Sequence, residues 1–217
     1  NTSLGATALM NLTELFQYKA AVFDGAPSLG TLTGGLSGYG TIGDQGALTL
    51  HELCFTPQLG SNGDLPGSYK IGGWYHTHSF ANLATGVGTL QGNYGLWMSA
   101  DQMVWKEEGS DEDPQGLGLF TQYGWSPSDR NSVDQYLGLG ATYRGLISTR
   151  DADITGIGLA TAWVSTAGSS SERALEIFYK TQINNWASLQ PDMTYISNPG
   201  GFGKDAFIIG LRTEIVF

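Results

Sequence analysis

The chain has 217 residues, and its 10 Lys and Arg against 20 Asp and Glu give a formal net charge of −10, which excludes a nucleic-acid binder that works by neutralising phosphates. Its hydrophobic content of 41% argues against disorder, and the single cysteine excludes an intrachain disulfide framework. No stretch approaches the roughly 18 apolar residues that a membrane-spanning helix needs. The 32 glycines, beside 6 Trp, 10 Tyr and 9 Phe, are typical of a protein built from strands.

In chain order, alternation of apolar with small or polar residues predicts ten strands, and residues 1–13 are assigned to none of them. Most of the predicted strands span about 10–13 residues, whereas soluble sheets favour ~5–6 residues and tilted membrane strands ~9–11. The predicted strands are 14–23, 46–55, 68–78, 93–105, 115–125, 134–147, 154–165, 173–185, 188–197 and 205–217.

The predicted strands have two chemically different faces. In the last one, Phe207, Ile209 and Leu211 alternate with Gly210 and Arg212. A soluble sandwich would bury the apolar face, while an outer-membrane barrel would turn it to lipid and its polar face to a wet lumen. Strand length and the glycines that alternate on the second face of 115–125 and 134–147 favour the barrel, because glycine weakens a strand exposed to solvent.

The connections are predicted to alternate between two ends of the sheet. With a periplasmic C-terminus, the links 186–187, 148–153, 106–114 and 56–67 lie on the periplasmic side. The links 198–204, 166–172, 126–133, 79–92 and 24–45 then lie outside, and the longest of all, 24–45, belongs to this outer set. Long outer loops and short periplasmic turns are the asymmetry of outer-membrane barrels.

Several blocks of sequence, in order and spacing over roughly residues 45–217, resemble the carbohydrate-selective porin family, the OprB-type porins, in their C-terminal half. The blocks are Leu65–Tyr75, Ala100–Trp105, Asp113–Phe120, Ser126–Asn131, Tyr143–Ile147 with Arg150 and Asp153, Gln190–Ile196, Asn198–Gly201 and Gly210–Arg212 before a terminal Phe.

The resemblance implies an all-β fold, an antiparallel transmembrane β-barrel, with about ten strands here as part of a sixteen-stranded porin barrel. Residues 1–217 are then a single β-barrel segment, the C-terminal part of a porin barrel that lacks its N-terminal strands, or a shortened relative. It further implies a location in the outer membrane of a Gram-negative bacterium, passage of mono- or oligosaccharides, and a homotrimer. A terminal Phe217 resembles the signal read by the barrel-assembly machinery.

Sugars are neutral, so a selective pore needs charged side chains as hydroxyl partners and aromatic ring faces. Trp74 is the best candidate for stacking on a sugar ring, although it could equally belong to an aromatic girdle at the membrane interface. The other pore-lining candidates could set a field across a constriction or merely brace the wall as ion pairs. They are Glu52, Lys70, Asp101, Arg144, Lys180, Arg212 and Glu214.

The main prediction is a passive, carbohydrate-biased channel in contact with outer-membrane lipid, with no catalytic residues and no cofactor. One alternative is a soluble glycan-binding β-sandwich, in which Trp74 and outer tyrosines form a platform. Another is a glycosidase using carboxylates such as Glu52 and Asp101, which would have to lie about 5–10 Å apart. His76 and His78 share a face but have no third ligand near in sequence, so no metal site is predicted.

Overall fold

The computed structural model describes residues 4–25, 46–107, 114–167 and 170–216. These residues form twelve strands and two single 3₁₀ turns, Ser165–Ala167 and Pro199–Gly201. The strands are β1 Gly5–Asn11, β2 Phe16–Asp24, β3 Ala47–Phe55, β4 Gln58–Leu59, β5 Leu65–Ala81, β6 Thr89–Lys106, β7 Gly116–Trp125, β8 Val133–Arg144, β9 Ile154–Val164, β10 Ser170–Asn184, β11 Ala187–Ser197 and β12 Ala206–Ile215.

The strands form one antiparallel sheet in which each long strand pairs with the next one along the chain. The short β4 pairs only with β5. Within the described residues the sheet is not closed, because the outer edges of β1 and β12 have no partner strand. Antiparallel neighbours joined by short links satisfy the backbone hydrogen bonds of every inner strand within the sheet itself.

The register confirms that one face of the sheet is apolar across strand after strand. Leu139, for example, pairs with Leu159, which pairs with Leu175, and these leucines stay 39–44% exposed. Aromatic residues border this apolar face at both ends of the strands, as in the girdles of membrane barrels. At one end lie Phe16, Phe55, Tyr69, Trp105 and Tyr143, and at the other lie Tyr75, Tyr94, Trp125, Tyr195 and Phe207.

The second face, called here the polar face, carries the charged residues and most strand glycines. One row across it runs Lys19, Glu52, Gly72, Trp97 and Gly124 on successive long strands. The pairing confirms the alternation read from the sequence in β7, β8 and β12.

The structure has no second sheet packed on the first among its described residues, and no large side chain there is fully buried. Leu139, Ile209 and Leu211 are 44%, 75% and 67% exposed instead of lying in a core. The alternative of a soluble β-sandwich is wrong, because a sandwich must bury its apolar faces between two sheets.

All ten strands expected from the sequence are present, and two more, β1 and β4, were missed. β1 lies in the unassigned segment 1–13, and β4 is too short to show a period. The β5–β6 hairpin is longer than expected, with strands of 17 and 18 residues. Most of link 24–45 and of link 106–114 falls outside the described residues.

At one end of the sheet, Asp153 ties the β8–β9 link to β10. Its carboxylate is 3% exposed and accepts hydrogen bonds from the Tyr179 hydroxyl at 2.5 Å and the Gln182 backbone N–H at 2.8 Å. Arg150 Nε donates to it at 2.8 Å, and the Thr181 hydroxyl donates at 3.1 Å. Arg150 and Asp153, which belong to one of the blocks that resemble the porin family, thus form a clamp between the β8–β9 link and β10, called here the Asp153 clamp.

At the opposite end, Asn93 and Asn131 exchange two side-chain hydrogen bonds of 2.9 and 3.0 Å. Asn93 is 3% exposed, and Arg130 Nη1 donates to the Gly92 carbonyl at 2.6 Å. Ser165 Oγ donates to the Asn131 carbonyl. These contacts join the β7–β8 link to β6 and to the end of β9.

Replacing Leu139 with arginine tests the assignment of the apolar face. If this face contacts hydrocarbon, Leu139→Arg near mid-strand should lower the free energy of unfolding in lipid by about 2–4 kcal/mol. Gln122→Arg, on the polar face of β7, is the matched control and should cost much less. Denaturant titration of protein refolded into vesicles measures both, and an equal cost for the two variants would contradict the assignment.

The Asp153 clamp predicts a dependence of stability on pH. Burial alone would raise the pKa of Asp153, but the hydrogen bonds from Tyr179, the Gln182 N–H, Arg150 and Thr181 outweigh it and lower the pKa to about 2. A lowered carboxyl pKa stabilises the fold above the unfolded pKa of about 3.9, and this contribution is lost as the pH falls towards 2.

Between pH 5 and pH 2 the protein should therefore lose about 2 kcal/mol more unfolding free energy than its Asp153→Asn variant. Chemical denaturation at the two pH values gives the difference. Parallel losses in both proteins would show that Asp153 is not the titrating clamp.

Candidate functional site

Two tryptophans lie next to each other on the polar face, across the β5–β6 ladder. Trp74 on β5 pairs with Gly95, and Trp97 on β6 pairs with Gly72. A methyl group on Gly95 would lie 2.5 Å from Trp74 Nε1, and one on Gly72 would overlap the Trp97 ring. Each indole thus covers the glycine opposite it, and a side chain at either glycine would displace the ring.

This position separates the two interpretations of Trp74. Girdle residues face lipid, but Trp74 lies on the face opposite Ile71 and Tyr75. Trp74 and Trp97 are both half-buried, so each indole keeps an open surface on the polar face. The arrangement can offer two adjacent aromatic planes to a ligand.

Glu52 connects Trp97 to a charged group. Its Oε2 accepts a hydrogen bond from Trp97 Nε1 at 3.2 Å, and its Oε1 forms an ion pair with Lys19 Nζ at 3.2 Å. A cavity of about 320 Å³ opens beside them, with Leu9 and Leu50 in its wall. Because a carboxylate can accept about four hydrogen bonds, Glu52 keeps acceptor capacity for a ligand hydroxyl.

Lys70 and Asp101 lie on the polar face, closer than the tryptophans to the end of the sheet that carries the Asp153 clamp. Lys70 pairs with Cys54 on one side and with Ser99 on the other, and Asp101 pairs with Ser68 and Phe120. Within the described ranges neither side chain has an ion-pair partner inside 4.0 Å. Both charges are therefore open towards the space that the polar face borders.

The remaining candidates gather towards the end of the sheet that carries the Asp153 clamp. Lys180 forms an ion pair with Glu214, and Arg212 reaches Glu176 at 3.4 Å and Asp192 at 3.8 Å. Arg144 lies on the same face, and its Nε is buried with no hydrogen-bond partner in the part of the chain that the structure describes. Among these candidates, Lys180, Glu214 and Arg212 are therefore in ion pairs, whereas Arg144 has no ion-pair partner within the described residues.

Histidines and carboxylates do not form a metal site in the described ranges, since no three His, Cys, Asp or Glu side chains gather there. His76 Nε2 contacts the Gly25 carbonyl at 2.9 Å, and the register shifts between His76 and Ser79, so simple alternation does not extend to His78. His51 lies on the apolar face, where its Nδ1 hydrogen-bonds the Tyr18 hydroxyl at 2.6 Å.

Among the described residues, no helix has the length and hydropathy to cross a membrane.

Sequence reasoning missed Trp97 and Lys19, which complete the site around Glu52. Both lie in predicted strands, and Trp97 has the same parity in its strand as Ser99 and Asp101. The two-residue period could therefore have placed Trp97 on the polar face with Asp101. Its contact with Glu52, which is 45 residues away in the chain, depends on strand pairing that the sequence alone does not reveal.

Comparison with known proteins gives consistent results. The model of the carbohydrate-selective porin, OprB family, matches residues 1–217. Porin B of Pseudomonas aeruginosa is 27% identical over 84% of this chain and 47% of its own length. The putative porin QuiX of Acinetobacter baylyi is 24% identical over 80% of this chain and 45% of its own.

The high-pH structure of Pseudomonas putida OprB superposes with a TM-score of 0.85 at 25% identity, covering 97% of this chain and 58% of that one. Its low-pH structure gives a TM-score of 0.68 at 22% identity, which shows the fold alone. The chain spans about half the length of the curated relatives it matches. The twelve strands, the two-faced sheet and the full-length match to the family model lead to one conclusion: the chain belongs to the carbohydrate-selective porin, OprB family.

Proposed function

We propose that this porin forms a passive diffusion channel, biased towards mono- or oligosaccharides, in the outer membrane of a Gram-negative bacterium. The apolar face contacts lipid and the polar face lines the channel. Transport of this kind needs no catalytic residue and no cofactor, because the substrate leaves unchanged.

The observation that carries this proposal is the group formed by Trp74, Trp97, Glu52 and Lys19. The tryptophans offer flat apolar surfaces, which suit the C–H faces of a pyranose ring. Glu52 accepts and Lys19 donates hydrogen bonds at the rim of the same surface, next to the cavity of about 320 Å³. A few polar groups beside aromatic walls are the usual composition of a small-molecule site.

The other pore-lining candidates give the channel wall its charge pattern. Lys70, Asp101 and Arg144 are the charges that ion pairs within the described residues leave open, while Lys180 and Glu214 neutralise each other. Open charges of both signs can exchange hydrogen bonds with sugar hydroxyls along the wall, and they bias ion passage.

The proposal includes three partners, which the two-faced sheet and the family support. Outer-membrane lipid contacts the apolar face between its aromatic borders, the barrel assembles as a homotrimer, and Phe217 is read by the barrel-assembly machinery. Phe217 lies outside the described residues, so its role rests on the sequence pattern alone.

Liposome swelling tests the channel itself. Vesicles that contain the full-length protein should swell in isotonic glucose or maltotriose at rates well above those of empty vesicles. Correctly folded protein without sugar flux would contradict the proposal, and so would hydrolysis products in the external medium.

Replacement of Trp74 tests the stacking contact. Trp74→Ala should raise the glucose concentration that half-blocks ion current by about two- to tenfold, since a good aromatic contact contributes roughly 0.5–1.5 kcal/mol. Trp125→Ala, on the apolar face, is the matched control and should leave the block unchanged. If folded protein and sugar block were lost in equal proportion in Trp74→Ala, the ring would have a structural role only.

Removing either charge of the Lys19–Glu52 pair should change ion selectivity in opposite directions. Glu52→Gln removes a negative charge from the wall and should lower the K⁺/Cl⁻ permeability ratio, while Lys19→Met should raise it. Reversal potentials in a salt gradient across planar bilayers measure both. Unchanged potentials in the two variants would mean that this pair lies away from the ion path.

A further inference from the structure

Two phenylalanines on the polar face repeat the arrangement of the tryptophans further along the wall. Phe120 on β7 pairs with Gly140, and its Cζ would be 2.5 Å from a methyl group at Gly140 and 3.6 Å from one at Gly158. Phe178 on β10 pairs with Gly156, where a methyl group would overlap its ring. Both rings therefore extend over the glycine on the neighbouring strand, and both are half-buried.

The two rings are close enough to form one surface, which we call the phenylalanine floor (Phe120 and Phe178). Gly158 and Gly156 are two residues apart on β9, so the ring ends that cover them are separated by roughly 7 Å at about 3.4 Å per residue. This separation is comparable to the size of a single pyranose ring.

Polar groups border the phenylalanine floor on both sides. On the β6 side, a cavity of about 370 Å³ is lined by Ser68, Asp101, Phe120 and Thr142. Asp101 is exposed and accepts no side-chain or backbone hydrogen bond from a described residue. Its carboxylate is therefore available to hydroxyl groups of a ligand in that cavity.

On the β10 side, Glu176 pairs with Gly158 and precedes Phe178 by two residues, which places it on the same face. Arg212 meets Glu176 at 3.4 Å and Asp192 only at 3.8 Å, and its side chain is 66% exposed. Asp192 is 7% exposed, and its Oδ2 has no hydrogen-bond partner within the described ranges. Because both contacts of the Arg212 guanidinium are long, it keeps N–H groups that can donate hydrogen bonds to a ligand.

The floor is displaced from the tryptophans along the strands. Trp97 pairs with Gly124, and Phe120 lies four residues from Gly124 on β7, which corresponds to roughly 13 Å. A solute that moves from the tryptophans towards the end with the Asp153 clamp passes the floor next. Several weak sites in series allow a solute to enter and to leave, whereas one tight site would trap it.

We propose that the phenylalanine floor, with Asp101, Glu176 and Arg212, is a second saccharide-binding station of this channel. This inference rests on the proposed function. The rings give the stacking surface, Asp101 and Glu176 accept hydrogen bonds from hydroxyl groups, and Arg212 donates to ring or hydroxyl oxygens. A linear oligosaccharide of three or more units reaches the tryptophans and the floor together, whereas a monosaccharide occupies one station at a time.

The test measures block of ion current by glucose and by maltotriose in planar bilayers containing the full-length protein. Phe120→Ala combined with Phe178→Ala should raise the half-blocking concentration of maltotriose about five- to tenfold and that of glucose about twofold, since a monosaccharide can still bind at the tryptophans. Phe207→Ala, an aromatic residue on the apolar face, should change neither value.

A glycine pair separates ligand contact from wall stability. Gly156→Ala pushes the Phe178 ring off the wall, while Gly158→Ala, on the same strand and face, leaves Phe120 in ordinary contact at 3.6 Å. Gly156→Ala should weaken maltotriose block, and Gly158→Ala should not. Phe178→Tyr, which keeps the aromatic ring, should leave the half-blocking concentration of maltotriose close to that of the unsubstituted protein.

Each outcome is decisive when heat-modifiable electrophoretic mobility shows the variants to be folded. If the phenylalanine and Gly156 variants keep the original maltotriose block while Trp74→Ala weakens it, the floor is only a cover for glycines and this inference fails, but the channel function stands. If neither group of variants changes the block by any sugar, stacking on either surface is excluded and the proposed sugar selectivity fails with it.

Discussion

A sheet one strand thick that separates two media has to satisfy its backbone hydrogen bonds inside its own ladders, because hydrocarbon offers none. The meander from β1 to β12 meets this requirement by pairing each long strand with its neighbours. Since side chains alternate from face to face, one ladder register then decides the surroundings of every side chain. A slip by one residue would exchange Leu139 with Gly138 or Gly140 and turn the apolar face inside out.

The polar face shows how such a thin wall is completed without a core. Trp74, Trp97, Phe120 and Phe178 each lie across a cross-strand glycine. The glycines lose backbone entropy and supply no packing of their own, and the neighbouring rings return part of that contact area. One arrangement thereby stabilises the wall and leaves ring surface open on the polar face. Under the proposed function, the same residues both support the wall and bind the sugar.

The ends of the sheet carry hydrogen-bond networks that the strand ladders do not supply. Asp153 accepts hydrogen bonds from Arg150, Tyr179 and Thr181 at one end, and Asn93 with Asn131 joins the β7–β8 link to β6 at the other. These buried polar groups connect the links to neighbouring strands where the ladder pairing stops. The phenylalanine floor and the tryptophans lie between the two networks along the sheet.

The sequence by itself determined the two-residue period, the strand lengths and therefore the two-faced sheet. These properties are local, because alternation is set by the backbone of a single strand. It also placed Trp74, Glu52, Lys70, Asp101, Arg144, Lys180, Arg212 and Glu214 on one face, as the register places them. It did not reveal β1, because Gly5–Asn11 carries small residues on both faces and so has little contrast between them.

Only the tertiary structure decided which of those residues meet. Glu52 contacts Trp97 and Lys19, which are 45 and 33 residues away along the chain, and Arg212 reaches Glu176 across 36 residues. The positions of the Trp74, Trp97, Phe120 and Phe178 rings likewise depend on which glycine is paired with each residue across the ladder. Such contacts follow from interstrand register, a property of pairs of strands that no single strand's alternation contains.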